Sequence, residues 1–76
     1  MQTVIIHTSE RSDSKPGCRY FDGWVEGWQN VVSEPTMIGK RLGDAIAWKV
    51  RAINEISAHA WRTGQDVEIR IVNENF

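Results

Sequence analysis

Between Asp44 and Thr63 the chain runs for twenty residues without proline or glycine, a stretch long enough to dominate any fold that 76 residues can make. On a wheel of about 100° per residue, Leu42, Ile46, Val50, Ile53, Ile56, Ala60 and Trp61 share one sector, the pattern of a helix laid on a core. Asp44, after Gly43, is suited to the N-cap, where its carboxylate accepts from free first-turn amides, and Gly64 supplies a left-handed residue to end the helix. Ser33-Glu34-Pro35 offers an alternative, earlier start, weakened by Gly39 and Gly43.

One helix needs a partner to cover its apolar stripe, and the flanking sequence supplies strands. The run Thr3-Val4-Ile5-Ile6-His7-Thr8 is β-branched with apolar residues on both faces, which suits a central strand. Val67, Ile69 and Ile71 alternate with Glu68, Arg70 and Val72, which predicts a terminal strand. Ser9 to Gly17 is polar and closed by Pro16-Gly17, so it reads as a loop. From Tyr20 to Val32 an aromatic strand is interrupted by Gly23 and Gly27, which hint at a bulge or turn, and a short strand is expected over Thr36 to Lys40. The expected fold is α+β and occupies a single domain over residues 1–76. It comprises a small three- to four-stranded, mostly antiparallel sheet with one long amphipathic helix on one face, in the order β-β-(β)-α-β. A crossover through the helix most simply lays the last strand beside the first and parallel to it.

Composition narrows the function classes. A lone Cys18 closes no intrachain disulfide. No apolar stretch approaches the roughly 20 residues of a membrane span, and no signal pattern opens the chain, so a cytoplasmic protein without membrane contact is expected. Net charge is −1, unlike proteins that coat nucleic acid, but its distribution is uneven: −2 over residues 9–34, +3 over 35–64 and −2 over 65–76. Cys18, His7 and His59 fall in three different elements, and nothing in their spacing pairs a nucleophile with a base. Two histidines and one cysteine lack zinc spacing, the carboxylates form no calcium loop, and the glycines form no phosphate cradle. The expectation is a non-enzyme with no catalytic residue, metal or cofactor.

Binding is the stronger class, and it rests on four tryptophans in so short a chain. Trp61 falls at the margin of the apolar sector and is expected in the core. Trp48 lies about 160° from the sector centre, on the polar side with Arg51, Glu55, His59 and Arg62, and Lys40 and Arg41 add charge just before the helix. Two readings of that face stand side by side: an interaction surface anchored by Trp48, or a solvated face on which Arg51 pairs with Glu55 and lies over the indole. Trp24 and Trp28, which share a face with Glu26 if the segment is extended, are either large core residues or an exposed aromatic strip.

In layout alone, a helix on a small sheet without a catalytic constellation, the whole chain resembles the small inhibitors encoded by phages and mobile elements, the anti-CRISPR proteins among them; its TVIIHT, GWVEGW and DAIAWKV segments match no family signature. The resemblance implies a protein that docks on a host protein or ribonucleoprotein complex in the bacterial cytoplasm and blocks nucleic-acid recognition. Many anti-CRISPR proteins are clearly acidic and this chain is not, which favours a surface plug built on Trp48, Arg51, His59 and Arg62 over charge mimicry. The alternative is a small nucleic-acid-binding module using the basic helix segment and exposed tryptophans. Homodimerisation through exposed tryptophans is compatible with either.

Overall fold

The computed structural model describes residues 1–73. Four strands, β1 (Gln2–Glu10), β2 (Tyr20–Glu26), β3 (Thr36–Arg41) and β4 (Val67–Val72), form one sheet in the order β3-β2-β1-β4, and the helix α1 (Leu42–Thr63) connects β3 to β4. β1 pairs antiparallel with β2 and parallel with β4, so the doubly apolar TVIIHT segment is central, as its composition requires. The architecture is thus α+β, a four-stranded mixed sheet with one helix packed against it. No described helix is long and apolar enough to cross a membrane. Glu74, counted in the acidic C-terminal segment, lies outside the described residues.

Strand alternation decides what meets the helix. Val4, Ile6 and Thr8 of β1, Phe21, Gly23 and Val25 of β2, and Met37 of β3 are buried on the α1 side, with Val67, Ile69 and Ile71 of β4 half-buried beside them. The buried Thr8 hydroxyl is satisfied by donating to the Asn73 carbonyl at 2.7 Å.

The helix itself is turned relative to the sequence expectation. Its buried residues are Ala45, Trp48, Ala52, Ile56 and Ala60, an arc about a quarter turn from the sector of large aliphatics. Ile46 and Val50 are consequently exposed at 39% and 48%, and Trp61, expected in the core, at 89%. Trp48, expected outside, is 2% exposed. The physical reason lies at Gly23: a Cβ there would come within 2.9 Å of the Trp48 ring, 2.9 Å of the His7 carbonyl oxygen and 3.0 Å of the Met37 methyl. Trp48 thus fills the hollow left by a strand glycine, while Ala45, Ala52 and Ala60 present small side chains to a sheet already carrying Phe21, Met37, Val4 and Ile6. The core needs bulk at one point of the helix and closeness along the rest of it.

The helix begins at Leu42, not at Asp44 or near Pro35. Arg41 occupies the N-cap in extended conformation without a side-chain cap, and Asp44 lies in the first turn, where its charge favours the dipole. Gly64 ends the helix as expected, in left-handed conformation, with Gln65 N–H donating to the Ala60 carbonyl at 3.0 Å.

Candidate functional site

The residues first assigned to an outer helix face form a tether instead. The indole Nε1–H of Trp48 donates to the Glu34 carbonyl at 2.7 Å, which lets a buried Trp keep its polar atom satisfied. The Glu34 carboxylate then receives Arg51 at 2.8 Å on one oxygen and Lys40 at 3.5 Å on the other. Glu55 does not pair with Arg51: its Oε1 accepts from both the backbone N–H and the hydroxyl of Ser33, at 3.2 Å each. One turn on, His59 packs edge-on against Trp28 and lies 3.4 Å from the Arg62 guanidinium. Together these contacts hold the 27–35 loop on the side of α1, and no Trp anchor projects from it. Arg41 is exposed and stands apart from this network as the N-cap of α1.

Trp24 and Trp28 part company because β2 ends at Glu26. Gly27, at φ 90°, and Trp28 itself, at φ 50°, turn the chain in the left-handed region, so Trp28 leaves the strand alternation and packs half-buried against the core. Trp24 stays on the strand, on the sheet face opposite α1, and is 44% exposed. The extended reading that placed both on one face fails at that turn.

The open sheet face is organised around Trp24. The register lines up Thr36, Trp24, His7 and Val72 across all four strands. Strand spacing brings the His7 imidazole flat against the indole, with ring centroids 4.1 Å apart and planes within 2°. Glu26 Oε1 lies 3.0 Å from His7 Nε2 and orients that ring, so the indole is braced on one side before anything binds. Both rings border a cleft of about 570 Å³ that is lined also by Ile38, 70% exposed, and by Thr36, Arg11 and Asp22. Asp22 Oδ1 accepts from Gly39 N–H at 2.9 Å and from Arg11 at 3.2 Å, tying the edge strand and the first hairpin to the cleft floor. Hydrogen bonds from Arg11 to Asp13, and secondarily to Asp22, hold its guanidinium pKa above the usual arginine value.

Chemically, this arrangement offers a rigid aromatic plane, an exposed branched aliphatic and polar groups already paired with one another. Cys18 lies in the connection between β1 and β2, its thiol 3.1 Å from the Tyr20 hydroxyl, so Cys18, His7 and His59 each engage a different partner. The Cys18 contact, ahead of burial, pushes the Tyr20 phenol pKa up. Among the described residues no cluster of three His, Cys, Asp or Glu side chains could hold a metal ion. Ile38 escaped the sequence reading because an isoleucine in a short strand is expected inside. The alternation of Met37 inward with Thr36 and Ile38 outward was the available signal.

Compared with protein-family models, curated proteins and solved structures, the chain matches none.

Proposed function

We propose that this chain is a non-enzymatic protein-binding domain that docks through the open face of its sheet, with Trp24 as anchor and Ile38 beside it. The observation that carries the reading is the braced, half-exposed indole: a Trp held in one rotamer by His7 and Glu26 loses little further entropy on binding, and such aromatics dominate interface energetics. The partner class is the one the layout resemblance implies, a host protein or ribonucleoprotein complex, and the function is inhibition by occlusion.

The charge arrangement favours a protein surface over nucleic acid. A phosphate-binding face keeps cations available, whereas here Arg11 is flanked by Asp13 and Asp22, Arg70 pairs with Glu68, Arg19 pairs with Glu10, and Lys40 and Arg51 share Glu34. In the helix segment, Lys40 and Arg51 are thus drawn onto one carboxylate within the fold.

The test is capture from nuclease-treated bacterial lysate by the wild-type chain, Trp24→Ala and Ile38→Ser, followed by identification of the bound species. A protein retained by wild type through nuclease treatment and lost with both variants supports the reading. Bound material that nuclease removes, or retention that both substitutions leave untouched, sinks it.

A further inference from the structure

The two edges of the sheet are built differently. At β3 the edge is irregular: its register with β2 shifts between Phe21 and Gly23, Gly39 has φ 64°, and Lys40 and Arg41 follow. Such bulges and charges discourage another strand from adding. β4, the opposite edge, has no such bulge. Its register with β1 is unbroken from Val67 to Val72, it contains no proline or glycine, and both of its charges lie on the open face.

Hydrogen-bond direction shows which backbone groups this edge offers. Gln2 N–H donates to the Asp66 carbonyl, and in a parallel ladder that phase turns the N–H and C=O of residues 68 and 70 toward β1. Val67, Ile69 and Ile71 therefore present theirs outward, where no described strand lies. The same three side chains face the helix layer yet are only half-buried. Above them α1 carries Ile46, Val50 and Trp61, all exposed, on the side away from the loop that Trp48, Arg51 and Glu55 hold. Trp61 and Val67 line one shallow recess together.

We infer that a second copy of this chain occupies the edge, its β4 running antiparallel to the first about a two-fold axis at Ile69. The sequence of the strand is self-complementary about that residue. Antiparallel pairing centred on Ile69 sets Ile69 against Ile69 and Val67 against Ile71, each as a hydrogen-bonded pair made from the outward backbone groups. It sets Glu68 directly opposite Arg70, twice, at the non-hydrogen-bonded positions where side chains approach most closely. The Glu68 and Arg70 of one strand, 2.9 Å apart, join those of the other in a four-charge cluster on the open face. On the helix side the Ile46, Val50 and Trp61 stripe, which the rotation of α1 leaves outside its own core, meets its symmetry mate. The assembly is a continuous eight-stranded sheet with both Trp24 clefts on one face, and it does not depend on what those clefts bind.

Sedimentation equilibrium on the whole chain, from about 1 μM to about 1 mM, reads the association directly, because a symmetric dimer is governed by mass action. The expected result is a mass rising from the 8.7 kDa of one chain to twice that value. Arg70→Glu places carboxylate opposite carboxylate at both positions and is expected to raise the dissociation constant at least about tenfold, while Glu68→Arg with Arg70→Glu restores it to within about threefold. Both side chains are substantially solvent-exposed, so the variants fold, which far-UV circular dichroism verifies. Amide exchange at Val67, Ile69 and Ile71 is expected to slow as concentration rises. A mass fixed at 8.7 kDa throughout, a dimer indifferent to charge reversal, or exchange at those amides independent of concentration would each overturn the inference.

Discussion

Replacing Trp48 by Ala separates the observed helix orientation from the one its hydropathy wheel favours. The indole is 2% exposed, abuts Gly23 and donates to the Glu34 carbonyl at 2.7 Å. A buried Trp of about 150–250 Å² contributes roughly 4–6 kcal/mol at about 25 cal/mol per Å², and core Trp-to-Ala substitutions cost about 3–5 kcal/mol. The lost hydrogen bond to the partly buried Glu34 carbonyl adds to that cost. A 76-residue domain at about 0.05–0.15 kcal/mol per residue has roughly 4–11 kcal/mol in total, so Trp48→Ala removes a large share of it. In urea, with a slope of about 1 kcal/mol per M, the midpoint followed by far-UV circular dichroism falls by about 3–5 M, or no cooperative transition remains. A midpoint within about 0.5 M of wild type would refute the reasoning, because a solvated Trp contributes no more than that.

Three further outcomes follow from the same contacts. Gly23→Ala drives a methyl into the Trp48 ring, the Met37 methyl and the His7 carbonyl, and is expected to destabilise by about 1–3 kcal/mol in urea unfolding. Combined with Trp48→Phe, part of that loss is recovered as non-additivity, the backbone contact accounting for the remainder. Glu34→Gln removes the carboxylate charge shared by Arg51 and Lys40 but keeps the Trp48 acceptor, which is a backbone carbonyl, so its cost stays below about 1 kcal/mol for so exposed a pair. Glu10 titrates below the ordinary carboxylate range because Arg19 hydrogen-bonds to it. With its folded pKa depressed, the stabilisation is present above the unfolded value and disappears as pH falls through the folded one. Carboxyl chemical shifts read by NMR check this, and Arg19→Gln is expected to return Glu10 to the usual range.

The strands and the helix were legible in the sequence because their signals are local. Alternation in VEIRIV, β-branching in TVIIHT, and a proline-free stretch closed by Gly64 each need only neighbouring residues to be read. The helix's rotation is not local. It depends on a glycine in β2 opening a hollow for Trp48, and on three alanines whose small size brings the helix close to the sheet. A wheel weighted by hydrophobicity ranks Ile46, Val50 and Trp61 above Ala45, Ala52 and Ala60, and so turns toward the residues the fold leaves outside. The same wheel leaves Arg51, Glu55 and His59 on an outer face, whereas in the fold Glu34, Ser33 and Trp28 occupy it. For Trp24 the choice between core and exposed strip depends on which face of β2 the helix covers, and that is a long-range property. Val25 and Phe21 turn inward, and that leaves Trp24 outside.

The affinity of Trp24→Ala for the protein captured by the wild-type chain, measured by isothermal titration at physiological salt, tests the functional account most directly. A loss of about 2 kcal/mol or more, the scale of an interface anchor, with the thermal midpoint unchanged is the predicted result. Equal affinity for wild type and variant would contradict it and remove the open sheet face as the docking surface.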